Sequence, residues 1–438
     1  MEQTQSYTNT STKRAWIAEQ ARLHPERVFN SLHHLIDMDW MREAYRHTRK
    51  DGASGIDGVK AADYERELEA NLESLLERIK SGCYAAPPVR RHYIPKADGR
   101  MRPLGIPTLE DKVAQRAIVM LLEPIYEADF LSCSYGFRPG RSAHEALDTV
   151  YESLGRQGHR WVIDADLAGY FDSIPHSEIR AALDLRIKDG VVRRMIDCWL
   201  RAGVLEAGTL HKSESGTPQG GVVSPLIANL FLHHVLDRWF VETVQPRLRG
   251  ASQLVRFADD FVMTFAEAAD GQRVLAVLGK RLGRFGLTLH ATKTHYVDFR
   301  PPPEAAGHGP HTSFDFLGFT HVWGRSRRGY WVVRQLTAKQ RLARGLKAVN
   351  EWCKRHRHAP LADQQKRLAS VIRGHCNYYG LTGNGKSLGL FRYQVVRIWQ
   401  KWLSRRSRKS RVNWDRMTEV LHRHPLPPAK VVRTIYAS

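Results

Sequence analysis

The sequence predicts an α+β fold followed by a basic region that is entirely helical. Up to about residue 330, short stretches with strand alternation lie between stretches with helical spacing. From about Leu336 onward only helical spacing recurs, and Lys and Arg become denser. With 438 residues, of which 42% are apolar, the chain has enough material for about three domains of roughly 150 residues each.

The charge balance points to a polyanionic partner. The chain has 67 Lys and Arg against 45 Asp and Glu, a formal net charge of +22, and the surplus is spread along its whole length. This excess is larger than solubility requires and favours DNA or RNA as a ligand. The only competing explanation is that the protein is simply basic and soluble.

Cysteine usage and hydropathy exclude several other classes. The five cysteines form no CxxC pair, which argues against a disulfide framework and against a cysteine-based zinc site. The N-terminus is polar, and no apolar run approaches the roughly 18 residues of a membrane span. We therefore expect a cytoplasmic protein without membrane contact.

The N-terminal region is predicted to be helical. Residues 16–49 keep one continuous helical pattern, and a glycine-dense loop, GASGIDG, follows. A second helix is expected to end at Gly82. The buried face of the first pattern is predicted to consist of Trp40, Met41, Ala44 and Tyr45.

Residues 89–107 alternate as a β-hairpin whose turn is the Asp-Gly dipeptide at 98–99. Such a basic hairpin could act as a lid over a triphosphate. Alternatively, its cations protect a solvated strand edge. The basic residues near the tip are Lys96, Arg100 and Arg102.

Residues 161–174 (WVIDADLAGYFDSI) are predicted to begin as a strand and to leave it through a turn. Asp164 and Asp166 are two residues apart, so both side chains point to the same face of a strand. A buried carboxylate in a strand is costly unless it is paired or binds a metal. The spacing does not distinguish between the two aspartates.

Residues 253–265 (QLVRFADDFVMTF) form an apolar run that is interrupted by Asp259 and Asp260. The pattern predicts two short strands that meet at this acidic pair. Adjacent carboxylates repel each other, and a divalent cation shared with a third carboxylate would turn the repulsion into attraction. The alternative is an ordinary Asp-rich hairpin turn.

Two further segments complete the α+β region. The loop SGTPQGG at 215–221 has glycines that let the backbone approach a ligand closely, although a plain helix-entry loop would look the same. An apolar helix is expected over 222–240, with Pro225 in its first turn. Residues 270–289 predict an amphipathic helix with a short strand, and 314–321 (FDFLGFTH) an aromatic strand.

The basic C-terminal region carries two apolar stripes at helical spacing. Most cations lie off these stripes, which predicts a positive outer surface that suits nucleic acid. Residues 401–411 (KWLSRRSRKSR) are denser still in cations, and form either a solvated face or a nucleic-acid grip. Trp399 and Trp402 are interpreted as core residues. The stripes consist of Leu342, Leu346, Val349 and Cys353, and of Phe391, Val395, Ile398 and Trp402.

The order of these motifs resembles the reverse transcriptases encoded by group II introns, the RT/maturase family, from about Leu32 to about Pro428. HYIPKADGRMRPLGIP and SYGFRPGRS are similar to its fingers, DADLAGYFDSIPH, SGTPQGGVVSP and FADDFV to its palm, and NYYGL to its thumb. The resemblance implies a right-hand polymerase whose fingers and palm contain an antiparallel sheet packed by helices, followed by an all-α thumb.

The same resemblance implies four domains. These are a helical N-terminal extension (1–85), fingers and palm (86–330), the thumb or maturase (X) domain (331–404), and a basic tail or short DNA-binding remnant (405–438). Paired cysteines of an HNH nuclease are absent after the thumb. We therefore expect no endonuclease activity and a primer supplied from elsewhere.

The resemblance also assigns the site. It selects Asp166 rather than Asp164, so that Asp166, Asp259 and Asp260 are expected to hold two Mg²⁺ ions. Phe257 stands where the family more often has Tyr, a change that leaves the metal ligands in place. Around the deoxynucleoside triphosphate (dNTP), the resemblance implies Lys96 and Arg102 as a clamp, Gln219 as a pocket wall, Phe171 as the barrier to a 2′-hydroxyl, and Lys293 as a candidate proton donor to pyrophosphate.

Nucleic-acid contacts are expected on the basic surfaces of the fingers, the thumb and the tail. The residues concerned are Arg138, Arg141, Lys347, Lys354, Arg405, Arg406, Arg408 and Lys409.

The implied activity is RNA-directed DNA polymerisation, with splicing assistance and retrohoming in a bacterial ribonucleoprotein. Its partners would be an RNA template, group II intron RNA above all, a DNA primer or target, and dNTPs. One alternative is a domesticated bacterial reverse transcriptase, linked to defence or to a CRISPR array, with the same site. Another is an RNA-binding splicing factor without catalysis, which the intact acidic positions disfavour. Phe171 disfavours a third, an RNA-dependent RNA polymerase.

Overall fold

Strands and helices are interspersed along the chain as far as Thr337 in this computed structural model, and the named elements among the described residues after it are all helices. The structure describes residues 9–95, 99, 101–206, 209–211, 216, 220–303, 312–407 and 411–434. The predicted α+β class with a following all-α region is thereby confirmed. No helix among the described residues is long and apolar enough to cross a membrane.

The strands are β1 (Val89–Pro95), β2 (Met101–Ile106), β3 (Trp161–Ala165), β4 (Val204–Glu206), β5 (Thr209–His211), β6 (Ser252–Phe257), β7 (Asp260–Phe265), β8 (His295–Asp298), β9 (Ser313–Phe316), β10 (Phe319–Arg325) and β11 (Trp331–Thr337).

The α-helices are α1 (Thr10–Leu23), α2 (Met38–Arg46), α3 (Ala61–Tyr64), α4 (Leu68–Ser81), α5 (Leu109–Asp129), α6 (Ala143–Gly155), α7 (Tyr170–Ser173), α8 (His176–Asp184), α9 (Gly190–Arg201), α10 (Ser224–Leu232), α11 (Ala268–Gly283), α12 (Lys339–Arg355), α13 (Leu361–Tyr379), α14 (Gly385–Leu403) and α15 (Trp414–Arg423).

The chain divides into two units. The first comprises Met1–Ala146 with Ala165–His295, and the second comprises Leu147–Asp164 with Tyr296–Ser438. The four domains expected from the resemblance stay a prediction.

The single N-terminal helical pattern predicted over 16–49 is wrong. Helix α1 ends before Pro25, and α2 begins only after the 3₁₀ turn His33–Leu35. Proline disfavours helical geometry in the residue before it, which explains the break. The predicted buried face of α2 is confirmed, and the Trp40 indole donates to the carbonyl of Ala117 in α5 at 3.0 Å. The expected end of α4 at Gly82 is also confirmed, since this glycine has φ +79°.

The predicted hairpin over 89–107 is formed by β1 and β2, which pair antiparallel from Arg90 opposite Ile106 to Pro95 opposite Met101. The two strands belong to a four-stranded sheet of order β2-β1-β4-β5, in which β1 and β4 are parallel. Most side chains of β1 are exposed. The tip residues 96–98 and 100 lie outside the described residues.

The acidic stretch 253–265 folds as predicted, into two strands that meet at the aspartates. β6 and β7 are antiparallel with Phe257 opposite Asp260, so Ala258 and Asp259 form a two-residue turn. After Asp260 every residue of β7 is buried. The acidic turn is therefore anchored on its C-terminal side by a buried apolar strand.

In the second unit, the aromatic strand predicted over 314–321 is wrong. The chain turns at Leu317 and Gly318, whose φ values are +50° and +82°, and it forms the hairpin β9/β10 in a sheet of order β11-β10-β9. The predicted helical stripes are confirmed by one apolar cluster that joins α12, α13 and α14. Trp399 and Trp402 lie in this cluster, as expected.

Candidate active site

Asp166 follows directly after β3, and its backbone is fixed by residues 288–290. Its carbonyl accepts the amide of His290 at 2.8 Å. Leu167 and Leu289 form an isolated bridge, and the amide of Ala168 donates to the carbonyl of Thr288 at 2.9 Å. The Asp166 carboxylate therefore projects from a short segment whose backbone is held by hydrogen bonds to residues 288–290.

Lys293 provides the cation beside this carboxylate. Its ammonium group forms an ion pair with Oδ2 of Asp166, although 55% of the Lys293 side chain is exposed. The amide of Lys293 donates to the carbonyl of His290 at 3.0 Å. The segment that fixes the backbone of Asp166 thus also supplies its counter-ion.

Asp259 lies in the turn between β6 and β7, close to Asp166. Burial raises the pKa of the Asp259 carboxyl above its ordinary value, and the charge of Asp166 raises this pKa further. The cations Arg102 and Lys293 act in the opposite direction on the same group. Asp260 begins β7 and is half-buried. Residues more than 90 positions apart in sequence therefore form one acidic site flanked by two cations.

The carboxylates suit a hard divalent cation, because oxygen ligands are what Mg²⁺ prefers. A cation beside Asp259 would offset both the burial and the charge of Asp166, which together raise the pKa of Asp259. Within the described ranges, no three His, Cys, Asp or Glu side chains lie close enough together to form a metal site. Lys293 is the cation that pairs with Asp166 here. The donor chemistry fits the metal, and Lys293 competes with it for one oxygen.

The loop at 215–221 has two glycines that make close approaches to protein backbone. Gly216 has φ +89°, and a Cβ there would lie 2.9 Å from the Phe171 carbonyl oxygen. A Cβ on Gly220 would lie 2.4 Å from the carbonyl oxygen of Gly105 in β2. Both ends of the loop are thereby fixed, one at the turn after β3 and one at β2. Gln219 itself lies outside the described residues, as does Lys96.

Phe171 lies in α7, five residues after Asp166. Its ring is half-buried and packs edge-on against Tyr170, with 5.4 Å between the ring centroids. The Tyr170 hydroxyl donates to the Ala228 carbonyl at 2.6 Å, which fixes this ring pair against α10. A half-buried aromatic ring therefore follows Asp166 closely in the chain, on a segment that Tyr170 ties to α10.

Arg256 is the residue that the sequence analysis missed. It is fully buried in β6, and its guanidinium donates to both carboxylate oxygens of Asp237, at 2.7 and 2.5 Å. It also donates to the Ala258 carbonyl at 3.0 Å. The remaining contacts are with Asn229 Oδ1 at 2.9 Å and Ser134 Oγ at 2.7 Å. An arginine inside an apolar strand was the available signal, because a buried charge requires a partner.

A family model described as reverse transcriptase (RNA-dependent DNA polymerase) matches residues 94–321, just over half of the chain and the segment that contains all three aspartates. The chain belongs to this family. The resemblance drawn from the motifs is confirmed.

Several relatives of this reverse transcriptase are known by name. Protein YkfC of Escherichia coli is 36% identical over 279 residues, which are 57% of this chain and 72% of YkfC. The group II intron-encoded protein LtrA of Lactococcus lactis is 38% identical over 228 residues, 52% of this chain and 38% of LtrA. Nuclear intron maturase 1 of Arabidopsis thaliana is 32% identical over 95 residues, 22% of this chain and 13% of that protein.

One residue of this reverse transcriptase that is predicted to contact nucleic acid, Arg138, makes many hydrogen bonds within the fold. Arg138 is buried, and its guanidinium donates to the Glu127 carboxylate and to the carbonyls of Leu131 and Ser134, each at 2.8–3.1 Å. These partners satisfy the guanidinium from within the protein. These bonds give Arg138 a role in holding the fold, and its contact with nucleic acid stays a prediction.

The other predicted contacts of the reverse transcriptase differ in exposure. Lys347 and Lys354 are exposed on α12. Arg405 is exposed above the Trp402 ring, 5.2 Å from its centroid, whereas Arg406 donates to the Ala359 carbonyl at 2.8 Å. Arg141 is half-buried against the ring of Tyr135. Arg408 and Lys409 lie outside the described residues.

Proposed function

We propose that this reverse transcriptase extends a DNA primer on an RNA template, with Asp166, Asp259 and Asp260 holding two Mg²⁺ ions. The observation that carries the proposal is that Asp166, ion-paired with Lys293, and the turn residue Asp259 interact electrostatically although they are 93 residues apart in sequence. Two neighbouring carboxylates that are only partly offset by exposed cations are costly in a merely structural turn. Such a pair is useful where a cation binds during the reaction.

The residues around the pair have distinct tasks in this proposal. Bound Mg²⁺ ions supply Lewis acidity toward the primer hydroxyl and neutralise phosphate charge. Arg102 is exposed on β2 close to Asp259, where it can pair with the triphosphate. Lys293, which is 55% exposed beside Asp166, is placed to neutralise or protonate the departing pyrophosphate.

Phe171 gives the reaction its preference for deoxynucleotides in this proposal. The ring is fixed by Tyr170 and, through it, by α10, so it cannot easily move aside for a 2′-hydroxyl. We expect Phe171→Ala to incorporate ribonucleotides at least about tenfold better relative to dNTPs, as expected for loss of a steric clash worth 1–2 kcal/mol. Competition between dNTP and rNTP in single-nucleotide extension measures this ratio.

Intron RNA binding is the second part of the proposal, and the exposed cations of α12 support it. Lys347 and Lys354 are exposed, while the opposite face of the helix packs into the apolar cluster. Through such binding the protein would assist splicing and retrohoming. Replacing both lysines by Ala should weaken RNA binding and reduce its salt dependence by about two counter-ions. Filter binding at several KCl concentrations tests this expectation.

Primer extension is the direct test of polymerase activity. An oligonucleotide annealed to RNA is incubated with dNTPs and Mg²⁺, and the wild type is compared with Asp259→Asn and with Asp164→Asn. We expect extension by the wild type and by Asp164→Asn, and a loss of at least about 10³-fold in Asp259→Asn. A folded wild type that binds RNA without extending the primer would overturn the proposal and would favour a splicing factor.

A further inference from the structure

We propose that Arg256 and Asp237 form a positioning pair that holds the acidic turn in the geometry required to bind metal. The inference rests on the proposed polymerase function and concerns how its site is built. Neither residue touches the reacting groups in this account. They act through the backbone of Ala258, the residue that precedes Asp259.

The pair is a poor device for stability alone. Both side chains have no exposed surface, and removing two charges from water offsets much of what their attraction returns. An apolar pair of similar volume would stabilise the same position at least as well. The guanidinium does what an apolar side chain cannot, since it also donates to the Ala258 carbonyl, to Asn229 and to Ser134.

The turn needs such external support because it is strained. Ala258 has φ +60°, a left-handed conformation that costs a residue with a Cβ about 1–2 kcal/mol. On one side the Arg256 guanidinium holds the Ala258 carbonyl at 3.0 Å. On the other side Gly136 packs so closely that a Cβ there would lie 2.5 Å from the Ala258 nitrogen.

Asn229 links these two supports. Its amide donates to the Gly136 carbonyl at 2.7 Å, and its Oδ1 accepts from Arg256 at 2.9 Å. The backbone of β6 is tied to the same segment, because the Arg256 amide donates to the Cys133 carbonyl at 2.8 Å. Asp237 orients the guanidinium from a π-helical turn, His233–Asp237, that follows α10. The turn is thus enclosed by a continuous hydrogen-bond network.

If this network holds the turn, its loss should weaken metal binding before it affects nucleotide binding. A relaxed Ala258 would move the neighbouring Asp259 carboxylate relative to Asp166. Groups that orient metal-binding side chains typically contribute about 10–100-fold to metal affinity. The signature is therefore a shift in metal dependence with an unchanged KM for dNTP.

The test uses two variants of the full chain. Arg256→Met/Asp237→Leu removes both charges together, so no unpaired charge is left buried. Arg256→Lys keeps an ion pair with Asp237 but cannot also reach the Ala258 carbonyl and Asn229. Arg180→Met/Asp197→Leu is the control, because Arg180 and Asp197 form a part-buried ion pair between α8 and α9 that shares no residue with the hydrogen-bond network around the turn.

Two readouts are measured: Mn²⁺ binding to the nucleic-acid-free protein by electron paramagnetic resonance, and the Mg²⁺ dependence of primer extension. We expect both Arg256 variants to bind Mn²⁺ about 10–100-fold more weakly and to need correspondingly more Mg²⁺. The control pair should behave like the wild type. Unchanged metal binding and Mg²⁺ dependence in folded Arg256→Lys would overturn the inference, whichever way the double variant folds. A wild type without extension would instead contradict the proposed function.

Discussion

The hairpins β6/β7 and β1/β2 have the same topology but are held in opposite ways. In β7 every residue after Asp260 is buried, and the turn is fixed by Arg256. In β1 only Val89 is buried, while Tyr93 and Ile94 are 42% and 44% exposed. One hairpin carries carboxylates of the candidate site, and the other carries Arg102 beside them.

The difference teaches how a polymerase site can divide its tasks. Carboxylates that hold metal must stay in place to within a fraction of an ångström, which requires a packed scaffold. A cation that captures a triphosphate gains from reach, and an exposed hairpin provides it. We therefore expect damage to β6/β7 to reduce stability and the maximal rate, and damage to β1/β2 to reduce nucleotide affinity.

The largest expected effect comes from breaking the buried ion pair on one side only. Asp237→Leu leaves the Arg256 charge buried and unpaired, which should lower the free energy of unfolding by about 3–5 kcal/mol. Arg102→Ala in the exposed hairpin should change it by less than about 0.5 kcal/mol. Urea denaturation measures both. A loss below 1 kcal/mol in Asp237→Leu would mean that the pair is not buried as described.

Removing one aromatic ring from each hairpin should reveal a difference in stability that is almost as large. Phe261 in β7 has no exposed surface, and Phe261→Ala should cost about 3–5 kcal/mol through the cavity it leaves. Tyr93→Ala in β1 removes a ring that is already 42% exposed and should cost about 1 kcal/mol or less. Thermal unfolding of the two variants provides the comparison, and equal losses would contradict it.

Two glycines allow each side of the site to be displaced by one methyl group. Gly136→Ala presses on the Ala258 nitrogen and should lower the maximal rate, whereas Gly220→Ala presses on Gly105 in β2 and should raise KM for dNTP. The cost in stability should be about 1–3 kcal/mol for each. Gly190→Ala is the control, because a Cβ there meets open space. Steady-state extension kinetics distinguish the two outcomes, and the expectation fails if both variants change the same parameter.

The smallest expected effect is a pH dependence of folding stability that comes from Asp111, a buried residue whose hydrogen bonds reach the end of the glycine loop. Asp111 at the start of α5 accepts from Tyr84, Trp199 and Gln115, and Gln115 in turn accepts the Val223 amide at the end of the glycine loop. Burial raises the pKa of Asp111 to about 6. Because the folded state binds this proton more readily than the unfolded state, stability rises as pH falls through 6.

Relative to Asp111→Asn, which cannot titrate, the wild type should gain on the order of 1 kcal/mol between pH 7.5 and pH 5. Denaturation of both proteins at the two pH values measures the difference. A wild type that loses stability relative to Asp111→Asn as the pH falls would show that Asp111 carries a lowered pKa instead.

The sequence predicted the elements whose signals are local. The strand alternation within 89–107, the apolar strand after Asp260 and the stripes of α12 and α14 each depend on neighbours in the chain, and the strands and helices that they predict are present. The break between α1 and α2 was missed, because the apolar spacing continued on both sides of Pro25.

The support of the site could not be read from the sequence, because it is assembled from distant segments. Arg256 meets Asp237, Asn229 and Ser134, which lie 19, 27 and 122 residues away. Arg138 carries the same positive charge as a nucleic-acid contact would, and only the structure shows that its guanidinium bonds to Glu127, Leu131 and Ser134. The sequence pattern predicts which residue types the reaction needs. The tertiary structure shows which of those residues are exposed at the site and which are engaged inside the fold.

Single-nucleotide incorporation under single-turnover conditions tests the division of tasks most directly. The maximal rate and the dNTP concentration for half-maximal rate are measured for the wild type, Asp259→Asn and Arg102→Ala on one RNA template. We predict that Asp259→Asn abolishes the maximal rate, and that Arg102→Ala keeps it within a few-fold while needing at least about tenfold more dNTP. An Asp259→Asn variant that reaches the wild-type rate, or an Arg102→Ala variant that loses rate without losing affinity, would contradict the account.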